Sequence, residues 1–181
     1  MSEVLKRTKR ELKCHGNIID LYEDTLMLPG GKTVAYDFFD HPGAAAVLPV
    51  TEDGKILLVK QYRNALDRFT WEIPAGKLDA INELGIDCAA RELEEETGYR
   101  SENLKPLIIL RTMLAFCNEK VDVFVADQLI PSKQHLDEDE FIDVKAFSLE
   151  ELKEMIFSGE MEDVKSIAAI MSYIVKMMDA K

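Results

Sequence analysis

Only three cysteines occur in the 181 residues, Cys14, Cys88 and Cys117. They are odd in number, scattered and without a CxxC pair, which excludes a disulfide framework and a Cys-based zinc site and suits a reducing cytoplasm. No apolar run approaches the roughly 20 residues that a membrane span needs, so no membrane is expected. The opening Met1-Ser2-Glu3-Val4-Leu5-Lys6-Arg7 has charges but no apolar h-region behind them, so no secretion signal is read there. Low-complexity tracts and repeats are absent. Positive charge is scarce: 22 Lys and Arg stand against 34 Asp and Glu, a net charge of −12. That balance argues against nucleic acid as a partner, because such binding draws mainly on basic residues neutralising phosphates. A phosphate-bearing small molecule stays open if bound metal ions supply the positive charge locally.

What is present suits one globular domain with a small appendage: 47% hydrophobic and 31% charged residues, in a chain long enough to bury a core. Residues 11–40 read as strands, with Ile18–Tyr22 and Thr25–Leu28 leading to the turn Pro29-Gly30-Gly31-Lys32 and then Thr33–Phe39. Gly31-Lys32-Thr33 is not a P-loop, since the glycine required five residues earlier falls at Leu26. The stretch His41-Pro42-Gly43 punctuates the chain. Ala44–Val50 and Lys55–Gln61 are two apolar runs joined by Glu52-Asp53-Gly54, which predicts a hairpin. Strands are expected at Leu107–Arg111, Val121–Ala126 and near Ile142–Phe147, with an acidic loop at Asp137–Glu140 before the last. Ser148-Leu149-Glu150-Glu151 is a capping box opening a short helix. Val164, Ile167, Ala168, Met171, Ile174, Val175 and Met178 recur at helical spacing, a stripe expected to serve core or dimer packing. Strands mixed with two or three helices, without strict βαβ alternation, point to an α+β or α/β sandwich.

The informative segment is Ala89-Ala90-Arg91-Glu92-Leu93-Glu94-Glu95-Glu96-Thr97-Gly98-Tyr99. On a helix ending at Gly98, Glu92, Glu95 and Glu96 stand at i, i+3 and i+4 and share one face. A solvated Glu-rich helix usually carries Lys or Arg four residues after Glu, but here Glu92 is followed by Glu96. The row also sits at the helix C-terminal end, where the macrodipole disfavours anions. Only Arg91, four residues before Glu95, compensates. Three carboxylates gathered against these penalties make sense around a divalent cation, and all-oxygen ligands suit Mg²⁺, with Mn²⁺ as the alternative, rather than zinc.

Gly76, Glu83, Arg91-Glu92-Leu93, Glu95-Glu96, Gly98 and Tyr99 resemble the Nudix box, GX5EX7REUXEEXGU, with one departure. Six residues rather than five separate Gly76 from Glu83, read as a one-residue insertion in Ala80-Ile81-Asn82. The flanking Gln61-Tyr62-Arg63, Trp71–Leu78 and His41-Pro42-Gly43-Ala44 resemble the ADP-ribose pyrophosphatase branch of that family. The resemblance implies an α+β fold, an α/β/α sandwich of Nudix type, with an N-terminal antiparallel β-sheet segment. Residues 1–41 would be a β-stranded dimerisation segment and 42–181 the Nudix hydrolase domain, the whole a cytoplasmic homodimer. It implies Mg²⁺-dependent hydrolysis of the ADP-ribose pyrophosphate bond to AMP and ribose 5-phosphate. Metal ligands would be Glu92, Glu95, Glu96 and the Ala75 carbonyl, with Arg91 orienting the carboxylates and Glu95 also acting in catalysis. In the acidic loop, Glu138 would be the general base and Glu140 a metal contact. Arg63 would pair with a phosphate, as a guanidinium fork suits, and Glu72 and Glu119 would accept hydrogen bonds from adenine or ribose.

Met113–Glu119 stands where relatives in that branch show Ser-Pro-Gly. A second expectation therefore keeps the chemistry and changes the substrate to another nucleoside diphosphate sugar or a dinucleotide. A third makes the chain a nucleotide-binding regulator that does not cleave. The retained Glu92, Glu95 and Glu96 speak against it.

Overall fold

A computed structural model describes residues 5–80, 82–136 and 140–179. The chain divides into two compact units, one made of the residues up to Gly43 with Arg111–Lys120, the other of Ala44–Leu110 with the residues from Val121 onward.

The first unit is a three-stranded antiparallel sheet in the order β1-β2-β3, from β1 (Lys6–His15), β2 (Asp20–Met27) and β3 (Thr33–Asp40). β1 is rich in basic and other polar residues, and every one of its positions is exposed. The sequence suggested a break between Tyr22 and Thr25, but β2 runs straight through. Asp24 within it is buried, and Arg10 donates to both of its oxygens at 2.7 and 2.6 Å while lying 3.7 Å over the Phe38 ring. That pairing makes a buried carboxylate tolerable inside a strand. The β2–β3 turn uses Gly30 and Gly31 at φ +92° and +85°, a conformation that residues with a Cβ rarely adopt. Residues 113–118 attach to the end of β3: the Phe39 amide donates to the Phe116 carbonyl, and Asn118 bridges the His41 amide and Asp40.

The second unit contains β4 (Ala44–Pro49), β5 (Ile56–Arg63), β6 (Arg68–Glu72), β7 (Ala75–Lys77), α1 (Gly85–Thr97), β8 (Tyr99–Arg100), β9 (Asn103–Leu110), β10 (Val121–Asp127), β11 (Ile130–Pro131), β12 (Asp143–Phe147), α2 (Leu149–Ser158) and α3 (Val164–Asp179). One sheet has the order β7-β4-β10-β9, with β4 and β10 parallel; a second has the order β12-β5-β6, and β8 pairs with β11.

β4 and β10 are buried on both faces, which is why their sequences are nearly unbroken apolar runs. Ala45 and Val47 pack with Phe124, Ala126 and the α1 residues Cys88, Ala89 and Leu93. Ala46 and Leu48 point the other way. They join a cluster with Ile56 and Leu58 of the second sheet, with Ile73, and with Leu152, Ala169 and Ile170 of the two later helices. Helices thus cover both faces, and the α+β sandwich is the observed fold.

Two expectations need correction. The predicted hairpin is not one, because β4 and β5 belong to different sheets and share only the bridge Val50–Ile56. The tight turn itself exists, with the Thr51 amide donating to the Lys55 carbonyl at 2.9 Å. Strands without an in–out alternation carry no signal for which sheet they join. The helical stripe of α3 holds only in part. Ile174 is buried and Ile167 and Met171 pack against the core, whereas Val164, Val175 and Met178 are exposed and Ser166, Ala169 and Ile170 complete the buried line. The buried line contains a serine, and an apolar pattern passes over it. The capping box of α2 forms as read, Ser148 and Glu151 each satisfying the other's amide.

Candidate active site

Two segments of the second unit meet here: the turn from β6 into β7, and the last two turns of α1. Glu92 and Glu96 are one helical turn apart and both buried. The Ala75 amide donates to Glu96 Oε2 at 3.1 Å, and Gln61 Nε2 donates to Oε1 at 3.4 Å. A Cβ built on Gly76 would overlap the Glu92 carboxylate. The glycine is therefore required by close approach. Gly98 ends the helix at φ +70°, its amide returning to the Glu94 carbonyl at 2.9 Å.

Burial pushes the Glu92 carboxyl up to about 7, opposed by Arg91 and reinforced by Glu95 and Glu140. Burial likewise raises Glu96 to about 8, with repulsion from Glu92 adding to it. Two buried acids of like charge, with no basic residue in the last turn of their helix, each disfavour the other's ionisation.

Arg91 gathers the surrounding carboxylates. Its Nη1 donates to Glu92 Oε1 at 2.6 Å and Glu95 Oε2 at 2.9 Å, its Nε to Glu83 Oε1 at 3.3 Å, and its Nη2 to the Lys77 carbonyl at 3.2 Å. Burial works against its charge, but Glu92 and Glu95 outweigh that and leave its pKa above the ordinary value. Glu83 also accepts from the Asp79 amide at 2.6 Å. The extra residue before Glu83 thus leaves that side chain between Asp79 and Arg91; Ile81, within the proposed insertion, lies outside the described residues.

The other residues singled out from sequence divide as follows. Glu95 is partly exposed. Glu140 lies close enough to Glu92 and Glu96 to raise both. Glu138 is outside the described residues. Arg63 and Glu72 bind each other: Nε and Nη2 of Arg63 donate to Oε1 and Oε2 of Glu72 at 2.7 and 2.6 Å. Burial alone would raise Glu72, but Arg63 and Lys165 more than reverse this and hold it down to about 2. Glu119 belongs to the first unit, where Thr112 donates to it and His41 Nε2 stands at 3.6 Å.

Sequence reasoning missed three contributors. Gln61 reaches Glu96, as noted. The segment 132–135 lies along the end of α1, where the Ser132 amide, Gln134 Nε2 and the His135 amide donate to the carbonyls of Gly98, Glu96 and Glu95 at 2.7, 2.7 and 2.9 Å. The third is the start of α3. Lys165 Nζ donates to Glu72 and to Asp163 Oδ2, and Ser166 Oγ accepts the Ile73 amide at 2.8 Å. Only Gln61, beside the singled-out Arg63, stood within a recognisable motif.

Among the described residues no three Asp, Glu, His or Cys side chains are gathered in coordinating geometry. Glu92 and Glu95 turn to Arg91, and Glu96 to Ala75. The donor set nonetheless fits a hard divalent cation: oxygen-only, with two buried acids beside a backbone that approaches closely only because position 76 lacks a side chain.

Fold and site together define a carboxylate-lined centre on an α+β sandwich. The NUDIX domain model matches residues 40–169. The ADP-ribose pyrophosphatase of Bacillus subtilis (strain 168) is 43% identical over 91% of this chain and 90% of its own length. The methanol dehydrogenase activator of Bacillus methanolicus is 38% identical over 91% and 90%. A crystal structure of an ADP compounds hydrolase superposes with a TM-score of 0.86 over 97% of this chain and 95% of that one, at 18% identity, a likeness of fold. The chain belongs to the Nudix family and is a Nudix hydrolase.

Proposed function

We propose that this hydrolase cleaves the pyrophosphate bond of ADP-ribose, releasing AMP and ribose 5-phosphate, with Mg²⁺ as cofactor and Mn²⁺ able to replace it. The observation that carries the substrate is the 43% identity to an ADP-ribose pyrophosphatase over nearly the whole of both chains. Glu92, Glu95, Glu96, Glu140 and the Ala75 carbonyl would hold the metal. Bound there, the ion would neutralise the diphosphate and lower the pKa of an attacking water. Arg91 keeps Glu92 and Glu95 oriented, Arg63 meets a phosphate oxygen, and Glu138 takes the proton from water. As a cytoplasmic homodimer the protein would use its N-terminal strands for association.

A second reading keeps the hydrolysis and takes another nucleoside diphosphate sugar or a dinucleotide. Met113–Glu119, which lacks Ser-Pro-Gly, favours it. Incubation with ADP-ribose, with and without Mg²⁺, followed by chromatography of the products, tests the first reading. AMP and ribose 5-phosphate appearing only with metal, and not with Glu96→Gln, is the expected result. No cleavage by folded protein with Mg²⁺ would reject ADP-ribose. ADP-glucose, GDP-mannose and NADH would then decide the second reading.

A further inference from the structure

The hairpin of β5 and β6 presents a polar face to the carboxylates. Gln61 pairs with Thr70 and Val59 with Glu72 in register, so Gln61, Arg63, Thr70 and Glu72 lie on one side of this two-stranded ribbon. Tyr62, Phe69 and Trp71 lie on the other. Gln61 touches Glu96, which turns the polar side towards the site.

On that side Glu72 has no acceptor to spare. Oε1 accepts from Arg63 Nε and Thr70 Oγ1 at 2.7 and 2.6 Å, and Oε2 accepts from Arg63 Nη2 and from Lys165 Nζ. Only 4% of its side chain is exposed, against 41% for Arg63. A carboxylate so enclosed is poorly placed to receive a nucleoside. The part-exposed Arg63 gives two of its guanidinium nitrogens, Nε and Nη2, to that carboxylate. We infer that Glu72 and Lys165 are positioning residues, which lock the Arg63 guanidinium in the orientation that receives a substrate diphosphate.

Lys165 is needed for charge as well as geometry. Asp163 accepts from the Ser166 amide at 3.0 Å and from its hydroxyl, at the start of α3, and also accepts from Lys165. Arg63 and Lys165 therefore balance Glu72 and Asp163. Without Lys165 the cluster carries one net negative charge, beside a site that must accept a polyanion, and like charges brought together there oppose binding. Ser166, next to Lys165, holds the Ile73 amide, so the same turn of α3 fixes both the carboxylate and the strand that leads into Ala75 and Gly76.

The inference rests on reading the site as one for a diphosphate, and not on which nucleotide is cleaved. Imidodiphosphate with Mg²⁺, which resists hydrolysis and carries no adenine or ribose, is the probe, followed by calorimetry on the wild type, Lys165→Met, Lys165→Arg and the near-isosteric Glu72→Gln. The expected result is about tenfold weaker binding for Lys165→Met, recovery with Lys165→Arg, and weakening in Glu72→Gln even though that change removes a negative charge. KM for the cleaved substrate should rise in parallel, with kcat within about twofold, since the affected interaction is one of binding. Unchanged or tighter binding in Glu72→Gln overturns the inference, even if Lys165→Met fails to fold. A wild type that binds no imidodiphosphate also overturns it. A wild type that binds the probe but leaves ADP-ribose intact rejects the substrate alone, and the inference is then decided by the affinities of the variants.

Discussion

The Glu92 carboxylate occupies the volume that a side chain at position 76 would fill. The overlapping atoms are the far end of a flexible side chain, so in Gly76→Ala the glutamate swings away and the backbone keeps its course. The variant should melt within a few degrees of wild type, yet lose on the order of a hundredfold or more in kcat/KM, as misplacement of a catalytic group does. Thermal melts and steady-state kinetics on one preparation check this; full activity would mean that Glu92 has no part in the reaction.

Arg91 serves Glu83, Glu92 and Glu95 through nitrogens of one planar group. An ammonium cannot span those directions. Arg91→Lys, although it keeps the charge, is expected to lower kcat at least about tenfold and to raise the Mg²⁺ concentration needed for half-maximal activity. Both would be read from a metal titration, and wild-type values would show that charge alone suffices.

Glu96→Gln should separate stability from activity. Removing one of two buried, mutually repelling acids relieves a cost that the metal-free protein bears, so its Tm should rise, by about 1 kcal/mol of stability, while cleavage is lost. The thermal shift that Mg²⁺ produces in the wild type should shrink in the variant. A lower Tm without metal would show that the Ala75 hydrogen bond outweighs the repulsion.

The depressed pKa of Glu72 links stability to acid. A carboxylate that ionises near 4.5 when unfolded and near 2 when folded contributes stability that is whole above about pH 5 and lost as pH falls towards 2. The difference corresponds to about 3 kcal/mol. Melting curves of wild type and Glu72→Gln should stand apart at pH 7 and converge in acid. A constant gap would place the contribution in packing.

The box helix was legible because its evidence is local. Glu92, Glu95 and Glu96 share a face by spacing, Gly98 stops the helix, and Ser148 with Glu151 announces the next one. The rest depended on partners far along the chain. Nothing in Ala44–Val50 or Lys55–Gln61 tells that the two runs part into different sheets, since burial on both faces erases alternation. Ser166 falls outside the apolar stripe read from the sequence, yet it is fully buried against the Ile73 amide. Lys165 and Glu72 are 93 residues apart, and neither lies in a motif that names the other.

That separation bears on how the protein is made. Chains emerge from the ribosome from the N-terminus, and the helix carrying the glutamates is complete at Thr97, long before Lys165 and Ser166 are synthesised. During that interval the Ile73 amide and the Glu72 carboxylate lack the partners that α3 later brings. A nascent chain halted before residue 164 would carry every glutamate of the box and still be without the grip that fixes the ground beneath them. Competence for hydrolysis should therefore appear late in translation, with the arrival of a helix that contains none of the box residues.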